Sequence, residues 1–218
     1  MLLAKDIHLK KGTHKVVVCE NFYDVLSVRD EKSKQYVFKN IKAAYDRLNE
    51  VNTGVQFELC TTSYTVADNY DLKYVDYVDV NSDIVLDMIA GKFEENPKAA
   101  AIAHCDWDEK TRELKDLKIT LRLKWVNAKW VIKSDEEKHY AVDNSYIYSV
   151  ILHEALHTMG FAHQDDENSI MYYKTKQAHD FSPEDLEMIN KYNEVFYGTK
   201  QNIATYSQKQ EEPEELTF

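Results

Sequence analysis

Residues 153–163 read HEALHTMGFAH and gather three of the chain's eight histidines, one glutamate and one of its five glycines. On a helix, His153 and His157 stand four residues apart, on one face and one turn from each other. Two imidazoles placed in this way can reach a single cation. A catalytic zinc site takes three protein ligands and keeps a fourth position for water, so a third donor has to arrive after the helix stops. Gly160 can stop it, because glycine takes positive φ without steric cost, and His163 follows three residues later. Glu154 projects beside the cation rather than onto it, where it can accept a proton from an activated water. A lone histidine on a helix is usually a satisfied core residue. Five residues at these spacings arise by chance with a probability on the order of 10⁻⁵ per chain. The cluster therefore reads as a metal site, with His153, His157 and His163 as ligands to one Zn2+ and Glu154 as catalytic base.

Such a site needs elements to hold it. Asn144, after Asp143, offers N-cap chemistry to a helix over 145–159 that carries the first two histidines. A second helix is expected over 33–50, where Val37, Ile41, Ala44, Tyr45, Leu48 and Val51 recur at helical spacing before Asn52-Thr53-Gly54. Ser182-Pro183-Glu184-Asp185 announces a third: N-cap serine, proline at the first helical position, an acid at the third. Leu186, Ile189 and Phe196 form its expected inward face, and Gly198 closes it. Strands are expected over 15–19, 55–60, 82–89 and 100–107. The alternation of Leu117, Ile119, Leu121 and Leu123 with polar neighbours marks one more. A tyrosine- and aspartate-rich loop runs to about residue 80. The mixture implies an α/β (α+β) fold, expected as three layers. The catalytic unit would span 1–198, with 199–218 an acidic, disordered tail.

HExxHxxGxxH resembles the zinc signature of the metzincin metallopeptidases. Ser169-Ile170-Met171-Tyr172-Tyr173 looks like their methionine turn, and the short gap between His163 and Met171 resembles the matrixin branch. Residues 181–198, FSPEDLEMINKYNEVFYG, are similar to the matrixin ending, and 82–88 with 101–122 resemble that family's third to fifth strands. The resemblance implies a twisted, mixed five-stranded sheet with an active-site helix, a backing helix and a C-terminal helix. It implies zinc-dependent endopeptidase activity on protein or peptide bound in extended form along a sheet edge near 100–104, and a floor of Met171 beneath the metal. Tyr173 departs from matrixins, which usually place proline there; in astacins and serralysins a tyrosine at that place can approach zinc. The propeptide cysteine of secreted matrixins has no counterpart, and their additional zinc and calcium sites are not recoverable. His104 is left as a substrate-edge or structural residue. Two other readings stay open: a catalytically silent, zinc-stabilised binding module, and a zinc hydrolase of a non-peptide amide or ester.

The remaining composition narrows the partners. A formal net charge of −11 excludes a basic nucleic-acid footprint and disfavours anionic membrane. No apolar run has the length of a secretory leader or a membrane span. Three widely spaced cysteines, Cys19, Cys60 and Cys105, read as buried thiols rather than a disulfide framework. A cytoplasmic monomer is expected on these grounds. His8, His14, His139 and His179 are expected in solvated or polar-loop settings, and Asp165, Asp166 and Glu167 in a solvated loop.

Overall fold

Alternating apolar residues build the sheet. The computed structural model describes residues 6–19, 22, 31–61, 83–122, 128–134, 137–142, 144–174 and 180–199. The strands are β1 (Gly12–Val18), β2 (Val55–Thr61), β3 (Ile84–Ile89), β4 (Ala101–Trp107) and β5 (Leu114–Arg122), with a hairpin of β6 (Ala128–Ser134) and β7 (Glu137–Val142). Helices α1 (Glu31–Val51), α2 (Asn144–His157) and α3 (Pro183–Tyr197) complete the order. The main sheet runs β2-β1-β3-β5-β4, and every neighbouring pair is parallel except β4–β5. Strand β4 is therefore an edge strand, antiparallel to its single neighbour in the sheet.

One face of this sheet carries the core. Val16 and Val18, Ile84, Leu86 and Met88, and Leu117, Ile119 and Leu121 join Ile41 and Leu48 of α1, Ile151 and Leu152 of α2 and Ile189 of α3 in a single buried cluster. Side chains alternate across a strand, so all three helices share that face. Among the described residues the expected three layers reduce to two. Val17 and Val85 are buried on the other face, outside the cluster.

Several boundaries move. Helix α1 starts at Glu31 and β1 at Gly12, both earlier than the periodicity places them, because a terminal turn or strand end need not carry apolar residues. Sequence reading gives no element over the β6–β7 hairpin, whose pairing register runs from Ala128↔Val142 to Ser134↔Glu137. The structure places His139 in β7 rather than in the expected polar loop. The inward face of α3 also differs: Met188, Ile189, Tyr192 and Tyr197 are buried, while Leu186 and Phe196 are half-buried. The capping box and the Gly198 cap (φ 67°) are present as read. The tyrosine-rich loop, Leu123, His179 and, beyond Thr199, the acidic tail lie outside the described residues. Among those described, no helix is long and apolar enough to cross a membrane.

Candidate metal centre

Helix α2 ends at His157, two residues before the expected Met159, and a tight turn follows. The N–H of Gly160 donates to the His157 carbonyl at 2.9 Å and that of Phe161 to Leu156 at 3.1 Å. This pair of bonds is a Schellman close, which needs a left-handed residue at the glycine; Gly160 supplies it with φ 98°. The chain leaves in the direction that returns His163 to the face of α2.

The three imidazoles meet there. Their Nε2 atoms lie 3.1 Å (His153 to His157), 3.2 Å (His153 to His163) and 3.2 Å (His157 to His163) apart. Nδ1 of His153 is 2.7 Å from the Ile170 carbonyl, and Nδ1 of His157 is 2.7 Å from the Phe161 carbonyl. A carbonyl only accepts, so both Nδ1 atoms carry the proton and both Nε2 atoms present lone pairs. The short His153–His157 Nε2 separation is consequently not a hydrogen bond, and a cation between the rings would reconcile it. Tetrahedral zinc with bonds of about 2.0–2.1 Å spaces its nitrogens about 3.3 Å apart, so the residues fit the ion. Burial holds the His153 imidazolium down to about 4, with His163 adding to the effect against the Ile170 carbonyl. Burial, then His153, holds His157 at about 3, and burial lowers His163. All three rings are neutral donors at pH 7. His153 is buried, His157 half-buried and His163 exposed, so the group opens to solvent on the His163 side.

Glu154 lies 6% exposed beside this group. Burial pushes its carboxyl up to about 8, opposed by the backbone N–H of Ala103, which donates to it. Ala103 belongs to β4, so the edge strand passes beside the acid. A bulge shifts the β4–β5 register between His104 and Asp106, and the Cys105 thiol there reaches the His157 carbonyl at 3.7 Å. Burial, Glu154 and Asp106 push that thiol up to about 12, which keeps it protonated and a poor metal ligand at neutral pH.

Met171, next in sequence to Ile170, is fully buried. Its turn hangs on Asp185, a residue the sequence marks only as the acid of a capping box. Asp185 is 1% exposed and accepts from the Ser169 hydroxyl at 2.5 Å, the Ile170 N–H at 2.8 Å and the Ser182 N–H at 2.9 Å. Ser169 Oγ in turn accepts from the Met171 N–H at 3.0 Å. The carbonyl that orients His153 thus belongs to a residue whose own N–H is held by α3. No local sequence signal marks this second use of Asp185, because its partners lie 15 and 16 residues away.

A family model of the matrixin peptidases matches residues 19–193. The chain belongs to the matrixin family. A search of curated proteins found no match. As a matrixin it is a zinc metallopeptidase of protein or peptide substrates, and the three-histidine group fits the family's catalytic zinc. Other residues singled out in the sequence of this matrixin are distributed differently. Tyr173 is 56% exposed; its ring packs on Tyr172 at 4.5 Å, and the Lys174 ammonium lies 5.2 Å over it. His104 is exposed on β4 opposite Lys118. Asp165, Asp166 and Glu167 are exposed as expected, and Asp166 accepts from the Asn168 N–H on the way to the methionine turn. His8 and His14 are not free in solvent: His8 stacks on Phe196 at 4.5 Å, and His14 bonds to the Lys10 carbonyl at 2.7 Å. Both lie on chain that packs against the domain, where charged neighbours in sequence say nothing of exposure. Of the thiols, Cys19 is buried while Cys60 and Cys105 are half-buried.

Proposed function

We propose that this matrixin is an endopeptidase in which His153, His157 and His163 hold one zinc ion and Glu154 is the general base. The observation that carries the reading is the triangle of Nε2 atoms, with the His153 and His157 Nδ1 protons already committed to carbonyls and a buried carboxylate alongside. Zinc bound by three imidazoles supplies a Lewis acid that polarises a carbonyl and brings the pKa of water toward about 7. The protein's own residues do the rest. Glu154 must be ionised to accept a proton from the attacking water, and a divalent cation nearby favours that form against the burial that opposes it. Its carboxyl then delivers the proton to the amine nitrogen as the C–N bond breaks. Buried Met171 is a soft apolar floor that limits how the rings can tilt. Among the described residues β4 is an edge strand; it runs past Glu154 and would suit an extended peptide added as a further strand, which supports a role of residues 100–104 in substrate binding. Gly160 serves the bend, and Tyr173, exposed and packed on Tyr172, is given no part in the chemistry.

The test is a matched pair, wild type and Glu154→Ala, assayed for zinc by metal analysis and for cleavage of an unfolded protein. Both should hold about one zinc per chain, and only wild type should cleave. Equal cleavage by the two would remove Glu154 from the reaction. Zinc-loaded wild type that hydrolysed no peptide bond would favour the silent binding module, or, if it turned over simple esters, the non-peptide hydrolase.

A further inference from the structure

Gly160 is tight as well as left-handed. A Cβ built on it would fall 2.5 Å from the Ile7 carbonyl oxygen and 3.3 Å from the Ile7 carbonyl carbon and Cγ1. The backbone of the N-terminal segment therefore occupies the space beside the bend that returns His163. That segment is fixed on its other side, independently of the bend. The His8 N–H donates to the Arg112 carbonyl at 3.1 Å, and the Leu114 N–H donates to the His8 carbonyl at 2.8 Å. Leu9 closes a ring of bonds with α3. Its N–H donates to the Tyr192 hydroxyl at 3.0 Å, Tyr192 and Tyr197 hydroxyls are 2.9 Å apart, and the Tyr197 hydroxyl donates to the Leu9 carbonyl at 2.8 Å. With the Tyr197 proton spent on Leu9, the Tyr192 proton goes to Tyr197, and every donor in the ring is used. Ile7 and Leu9 are buried, and the His8 ring lies 4.5 Å from that of Phe196 and within 13° of parallel. Tyr192 also packs on Phe161 at 4.9 Å, and the Phe161 carbonyl is the acceptor that orients His157.

We propose that residues 6–10 are a strap that positions two of the three zinc ligands, His163 through the contact of Ile7 with Gly160 and His157 through Tyr192 and Phe161. These are positioning residues, remote from any substrate. The strap rests on the zinc reading above. Slackening it lets the turn open, so that the imidazoles must be reordered each time metal binds, and metal affinity falls more than overall stability does.

The experiment uses the full chain carrying Tyr192→Phe and Tyr197→Phe together, which deletes both hydroxyls and keeps both rings. Zinc affinity is measured by chelator competition, ligand geometry by the visible spectrum of the Co2+-substituted protein, and stability by thermal unfolding without metal. Val37→Ala, in buried α1 packing away from the turn, is the control for destabilisation alone. The double variant should bind zinc about tenfold more weakly than wild type and shift the Co2+ bands, while Val37→Ala stays within about twofold. Should the double variant not fold, Tyr197→Phe alone carries the same comparison. Affinity that falls no further than in Val37→Ala, or an unaltered Co2+ spectrum, overturns the strap. Wild type that bound no zinc would overturn the zinc reading with it, whereas normal zinc binding by every variant overturns the strap alone.

Discussion

In the proposed centre His153 and His157 share one role four residues apart on α2, yet they are held by two different kinds of support. The carbonyl behind His153 belongs to Ile170, in a turn pinned through charge-assisted bonds to one buried carboxylate, Asp185. The carbonyl behind His157 belongs to Phe161, in a turn closed by its own backbone bonds and packed between Tyr192 and the chain at Ile7. The first support is polar and concentrated in a single side chain. The second is steric and spread over several. A concentrated support fails all at once when its one group is removed, and a distributed one gives way by degrees.

Asp185→Ala breaks the first support outright. It strands the Ser169 hydroxyl and the N–H groups of Ile170 and Ser182 in a buried setting, and each unsatisfied group costs about 1–3 kcal/mol. Denaturant unfolding should show a loss of about 3 kcal/mol or more, with Asp185→Asn intermediate because it keeps the shape and one acceptor. A loss below about 1 kcal/mol would mean that the turn stands without α3.

Between the two supports sits Glu154, whose burial has a pH signature. In the zinc-free fold its carboxyl is raised from 4.5 to about 8, so between those values the folded chain keeps a proton that the unfolded chain releases. Stability contributed by this group is therefore lost as pH rises through that window. Zinc-free Glu154→Gln should accordingly gain on wild type by a few kcal/mol at pH 8 and match it at pH 4. Parallel stability curves for the two across this range would show that the carboxyl is not buried in this way.

The second support yields to Gly160→Ala. Positive φ and the Ile7 carbonyl both oppose a Cβ there, and a left-handed non-glycine residue costs of order 1–3 kcal/mol. The chain should still fold, with a modest fall in thermal midpoint. A variant as stable as wild type would mean that the turn has room to relax.

This contrast also explains what could be read from the sequence. The histidine spacing and Gly160 are encoded within eleven residues, so the convergence of the three histidines was legible and the turn could be anticipated. The capping box of α3 was equally local and is present as read. Asp185's grip on the methionine turn and Tyr192's grip on Leu9 span 15 to 183 residues, a distance over which no periodicity carries information. The β6–β7 hairpin escaped because its alternation is short and carries lysines on both strands, at Lys129, Lys133 and Lys138. His8 was misplaced for the opposite reason: its charged neighbours look solvated, while its own ring is stacked on Phe196. On α3, leucine and phenylalanine drew attention away from Tyr192 and Tyr197, whose rings are buried and whose hydroxyls are satisfied internally.

The most direct test of the shared centre is an X-ray absorption spectrum of the zinc-loaded protein at neutral pH. Three imidazole nitrogens at about 2.0–2.1 Å and one further light ligand are expected. Fewer than three imidazoles, or sulfur at about 2.3 Å from Cys105, would contradict the convergence of His153, His157 and His163 on one ion.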